Sequence, residues 1–167
     1  MRTDPKVKKL TMTALMAAVI FVVTILVKIP MPGVSGMGSL NIGDAIIYLT
    51  AALLGGPAGM IAAAIGSSLA DLLTGLAHYM LPTAIVKGLM GLVCGRLMER
   101  ETFARFLIAS VAGGAIMVAG YAVYDTMLLQ LAVALAIIPF NLVQWGVNVA
   151  LAAAFYPVVP RLKRSIS

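Results

Sequence analysis

Charge is the scarcest commodity in this chain. Lysine and arginine together number 12 and aspartate and glutamate 6 in 167 residues, 11% in all, where a soluble domain carries about 25%. Histidine occurs once and cysteine once. A single Cys94 excludes an internal disulfide framework and a thiolate metal cluster, and a single His78 lacks the partners of a histidine metal site. No HExxH, GxSxG or phosphate-binding P-loop pattern is present. An enzyme is therefore not expected, nor a cofactor, and a chain without an ATP site cannot pump alone. The basic start leads into a long apolar stretch with no small-residue cleavage site before Lys28, so no signal peptide is expected.

What is there is hydrophobic surface. Residues of apolar type make up 62% of the chain, more than one core of this size can hide, so lipid is the expected solvent. About 20 apolar residues cross a bilayer, and Gly/Pro clusters punctuate the runs. The pattern predicts an all-α integral membrane protein, one domain over 1–167, with helices near 10–27, 44–54, 57–73, 82–98, 103–124 and 138–156. The second and third segments hinge at "GGPAG", and the second is short for a full span. The stretch 28–43, "KIPMPGVSGMGSLNIG", reads as a lid-like loop.

Charge orients the six segments. Arg2, Lys6, Lys8 and Lys9 precede the first, Arg96, Arg100 and Arg105 flank the turn between the fourth and fifth, and Arg161, Lys163 and Arg164 follow the last. Threaded through six segments, all fall on one side, which the positive-inside rule makes cytoplasmic. Both termini are expected there. The net charge of +6 then needs no nucleic acid; it is topology with some attraction to anionic lipid.

Six other ionisable groups gather at the opposite, outer ends. Lys28 closes the first segment, Asp44 opens the second, Asp71 ends the third, His78 lies in the following loop, Lys87 begins the fourth and Asp125 ends the fifth. Asn141, Gln144 and Asn148, spaced three and four apart, share one face of the sixth. With Asn41 in the lid loop and Tyr121 on the fifth segment, they form a candidate binding ring: convergent polar groups in an apolar wall. Each also has a plainer reading. Lys87 can pair with Asp71 or Asp44, Asp44 can be an N-cap, Asp71 a helix-end anchor, and His78, Tyr79, Tyr121 and Tyr124 belt residues.

The stretches "LNIGDAIIYLTAALLGGPAGMIAAAIGSSLADLLTG", "TAIVKGLMGLVCG" and "IPFNLVQ" resemble the substrate-binding S components of energy-coupling factor (ECF) vitamin transporters, in the riboflavin-type or hydroxymethylpyrimidine-type branch. The resemblance implies a six-helix membrane bundle in a prokaryotic cell membrane, with cytoplasmic termini. It also implies a vitamin-sized ligand near the outer face, and as partners a transmembrane coupling subunit with two ATPases. First helices of that family carry small residues four apart, and "ALMAA" supplies Ala14 and Ala18 as expected contacts to the coupling subunit. A thiamine-precursor pyrimidine or a vitamin B6 form is the favoured ligand, with riboflavin or pantothenate also possible. The acidic groups suit amino and hydroxyl donors and the lysines suit acceptor oxygens, so formal charge alone leaves the choice open. Two other functions compete: a stand-alone gradient-driven transporter, which needs a polar path through the inner halves, and a membrane assembly protein without a ligand.

Overall fold

The computed structural model describes residues 4–30, 39–98 and 102–166. The lid-like loop is therefore described only at its two ends, and Arg2 and Arg100 lie outside the described residues. Within them the chain is helical apart from one small hairpin.

Helix α1 spans Pro5–Leu26, capped by the Asp4 side chain, which accepts from the Lys6 N–H at 2.8 Å, with proline in its first turn. Both features favour a helix start, and together they carry α1 five residues further out than its apolar run at 10–27. Strand β1 (Lys28–Pro30) then pairs antiparallel with β2 (Ser39–Asn41), with Lys28 opposite Asn41. Helices α2 (Gly43–Leu54) and α3 (Gly56–Leu73) follow, separated by Gly55 at φ 84°. That backbone region suits glycine, which has no Cβ to clash there. A single 3₁₀ turn (Ala77–Tyr79) enters α4 (Met80–Leu97).

Helix α5 covers Phe103–Leu128 and α6 covers Leu131–Phe155. Here α6 departs from the segment at 138–156: it begins seven residues earlier and runs through Pro139. The uninterrupted apolar stretch from Leu131 continues the helix, and Pro139 costs it one backbone donor rather than its start. A last helix, α7 (Val158–Ile166), was not expected; it tucks Val159 into the core and leaves Arg161 and Arg164 exposed.

Five helices are long and apolar enough to cross a membrane among the described residues: α1, α3, the 77–97 stretch with α4, α5 and α6. Helix α2, at 12 residues, is only about 18 Å long and is largely buried by its neighbours. Exposed Leu, Ile and Val side chains line the outsides of the five long helices, a surface suited to lipid rather than water. Small residues let α3 and α4 touch backbone to backbone. A Cβ on Gly91 would lie 2.5 Å from the Gly59 carbonyl oxygen, and one on Gly95 would lie 2.2 Å from the Gly56 nitrogen. Close approach of this kind is how helices pack where lipid gives no hydrophobic push.

Candidate functional site

Hairpin, short helix and long helix meet at one polar knot. Strand β2 delivers Asn41 against α6: its N–H donates to Gln144 Oε1 at 3.0 Å, and its carbonyl accepts from Asn148 Nδ2 at 2.8 Å. The Asn41 side chain accepts from the Gly43 N–H at 3.0 Å, closing the turn into α2. Asn148 also accepts from the Ala45 N–H at 2.8 Å, satisfying one of the donors that a helix start leaves open. Its Nδ2 additionally reaches the Gln144 carbonyl at 2.8 Å. Asn148, Gln144 and Asn41 thus pin the base of the hairpin and the start of α2 to the flank of α6.

Asp44 is the centre of this knot. It is 1% exposed; Lys87 Nζ donates to Oδ1 at 2.5 Å and Gln144 Nε2 donates to Oδ2 at 3.0 Å. Asp44 also stands in the first turn of α2, where the helix dipole favours a negative charge. Lys87 is therefore the partner of Asp44, one of the two pairings open to it in the sequence. It lies two turns inside α4, because that helix starts at Met80 rather than at Pro82. Its ammonium also stands 5.3 Å from the centre of the Tyr121 ring, within range of a cation–π contact.

A second cluster lies between the 3₁₀ turn, α4 and α5. The Tyr79 hydroxyl donates to Asp125 Oδ1 at 2.6 Å, and the Tyr124 hydroxyl donates to the His78 carbonyl at 2.7 Å. Thr83 and Tyr121 share a hydrogen bond of 2.9 Å between their hydroxyls. The Tyr79 ring stands 5.1 Å from that of Tyr124 and 6.2 Å from that of Tyr121. Tyr79 is buried and His78 exposed. Tyr79 had read as a belt residue because an aromatic in a loop beside a membrane helix usually is one; only its long-range bond to Asp125 separates the two roles.

The remaining charges are peripheral to these clusters. Lys28 Nζ, on β1, donates to Thr74 Oγ1 at 2.5 Å, tying the hairpin to the end of α3. Burial pushes the Lys28 ammonium below the usual lysine range, against the pull of nearby Asp71. Asn141 is buried on α6, with no hydrogen bond to its side chain among the described residues. A cleft of about 170 Å³ opens between the hairpin and α6, its wall mostly aliphatic (Val27, Ile29, Leu40, Val143, Val147), with Asn41, Gln144 and Asn148 also lining it.

The structure brings Asn41, Asp44, Lys87, Gln144 and Asn148 into one bonded network, and Tyr121 touches it through Lys87. Asp125 belongs to the neighbouring tyrosine cluster, and Asp71 stands half-buried at the end of α3. Because α6 begins at Leu131, Asn141, Gln144 and Asn148 lie along its middle and not on its outer half. Asp44 shares that depth, since Asn148 bonds the start of α2. Thr83 was not anticipated at all, and a threonine in an apolar helix gives no signal by itself. Among the described residues no group of three metal-ligating side chains occurs. Ala14 and Ala18 lie on the exposed face of α1, while Ala17 packs into the core.

Three comparisons bear on this arrangement. Residues 4–161 match the family model described as ECF-type riboflavin transporter, S component. A thiamine precursor transporter, HmpT, of Lactococcus lactis subsp. cremoris is 30% identical over 158 residues, covering 95% of this chain and 91% of that protein. An uncharacterized protein of Pyrococcus woesei is 41% identical over 101 residues, 60% of this chain and 66% of the relative. In three dimensions the chain is similar to a solved S component of a bacterial ECF transporter. The TM-score is 0.77 at 18% identity, over 94% of this chain and 98% of the other.

Proposed function

Because the chain belongs to the ECF-type riboflavin transporter S component family, we propose that it is the substrate-binding subunit of an importer for a vitamin or vitamin precursor. The observation that carries this reading is the match to that family over residues 4–161; the polar knot of Asp44, Lys87, Gln144 and Asn148, buried among helices whose exposed faces are rich in Leu, Ile and Val, supports it by holding the hairpin and α2 against α6. Ionisable residues at such depth are expensive in a membrane protein and mark sites of function. The ligand is bound above this knot, among Tyr121, Asp125, Asn141, Asp71 and His78. Asn41, Asp44, Lys87, Gln144 and Asn148 form the floor and hold the hairpin in register over it. A thiamine-precursor pyrimidine is the favoured cargo, in keeping with the likeness to the Lactococcus protein.

In this reading six segments cross or enter the cell membrane, α2 being the short one, and both termini face the cytoplasm. The basic residues at the chain ends and beside the α4–α5 turn support that orientation through the positive-inside rule. Energy comes from partners: a transmembrane coupling subunit and two ATPases. The face of α1 carrying Ala14 and Ala18 is the docking surface, since these small side chains lie one turn apart and outward and permit close helix approach.

Substituting Ala14→Trp and Ala18→Trp tests this mechanism. Uptake and co-purification with the coupling subunit and ATPases should be abolished, while ligand binding to the isolated chain persists. Wild-type transport by both variants would remove the coupling face, and uptake independent of any ATPase would favour a gradient-driven carrier.

A further inference from the structure

Tracing each buried charge to its partner leaves one carboxylate over. Asp44 is held by Lys87 and Gln144. Asp71 is only half-buried, at the end of α3. Lys28 stands on β1, at the end of α3, and donates to the neutral hydroxyl of Thr74. Asp125 is 2% exposed, yet it accepts from the Tyr79 hydroxyl and from nothing else among the described residues, and no cation there pairs with it. A carboxylate has room for about four hydrogen bonds, and a buried one without compensation costs several kcal/mol.

We propose that Asp125 is the specificity-determining residue of the ligand site, selecting a compound whose aromatic ring carries an amino group. The proposal rests on the substrate-binding reading above and deepens it. An amino group supplies the N–H donors, or the positive charge, that Asp125 lacks. The half-buried rings of Tyr121 and Tyr124, centred 6.2 and 5.1 Å from the buried ring of Tyr79, offer an aromatic wall beside it. A carboxylate-bearing ligand meets the opposite situation. It would set a second negative charge near Asp125 and find Lys87 already paired with Asp44. This discriminates where formal charge alone did not, because the structure commits Lys87 to Asp44 and leaves Asp125 without a cation among the described residues.

Calorimetric titration of the purified full chain in detergent tests the assignment. The probes are hydroxymethyl aminopyrimidine, its des-amino analogue, pantothenate and riboflavin. The wild type should bind the aminopyrimidine at least tenfold more tightly than the des-amino compound, and pantothenate more weakly than either. Asp125→Asn should erase the preference between the two pyrimidines. Equal affinity of the wild type for both, or an equal loss for both in Asp125→Asn, overturns the proposal. If Asp125→Asn does not fold, the wild-type ranking decides by itself. Tight binding of riboflavin or pantothenate without amino selectivity overturns this inference and leaves the substrate-binding reading standing; binding of none of the four overturns both.

Discussion

Asp44 and Asp125 are nearly equally buried, at 1% and 2% exposed, and keep opposite company. Asp44 has a lysine on one oxygen and an amide on the other, and it sits at a helix start. Asp125 has one neutral hydroxyl. The first is an internally closed site, whose charge, hydrogen bonds and helix dipole all balance within the protein. The second is left open among the described residues, and on the proposal above its balance comes from a ligand. The difference shows that burial alone does not mark a binding residue; what matters is whether the protein has already supplied the partners. It also assigns two jobs to one polar region. The Asp44 network sets the hairpin and α2 in place, and the Asp125 cluster is the proposed contact with the ligand.

The largest expected effect breaks the closed site. Lys87→Met leaves Asp44 buried without its cation and should cost about 3–5 kcal/mol of stability. The double variant Lys87→Met with Asp44→Asn should recover much of that loss, because no uncompensated charge remains. Thermal unfolding in detergent measures both; failure of the double variant to recover would mean that the pair is not the main interaction of Lys87. Asn148→Leu comes next. It removes the donor to the Asn41 carbonyl and the better of the two acceptors of the Ala45 N–H, which keeps the Ile42 carbonyl at 3.3 Å, and the loss should be about 1–2 kcal/mol. Hydrogen exchange should then speed first at the start of α2, and unchanged protection there would show that α6 does not pin it. Lys28→Met is the mild case. Its bond to Thr74 is half-buried, so the loss should be about 1 kcal/mol or less, with the amino selectivity of the ligand site intact.

The sequence carried most of the architecture and only half of this comparison. Apolar runs bounded by Gly/Pro located α2, α3, α4 and α5 to within a few residues. Helix α1 was cut short because Lys6, Lys8 and Lys9 interrupt the apolar pattern, although Asp4 and Pro5 form a recognisable helix start. Helix α7 was hidden because "VVPRLKRSI" reads as a charged tail, although Val158, Val159, Leu162 and Ile166 repeat at helical spacing. In the site, the shared face of Asn141, Gln144 and Asn148 was legible from spacing alone. The partner of Lys87 was not: Asp44 is 43 residues away in sequence, and no local pattern distinguishes it from Asp71. The bond between Tyr79 and Asp125 spans 46 residues and is equally invisible in one dimension. Helix faces are local properties, whereas charge pairing is decided by how helices pack.

The comparison between the two carboxylates stands or falls on the stability of the ligand-free protein carrying Asp125→Asn, measured beside Lys87→Met in the same detergent. An amide in place of an uncompensated buried carboxylate removes a cost, and binding residues are commonly held at the expense of stability. Asp125→Asn should therefore melt at or above the wild-type temperature while Lys87→Met melts well below it. If Asp125→Asn falls as far as Lys87→Met, Asp125 is a structural residue with partners of its own, and the division into a closed and an open site is wrong.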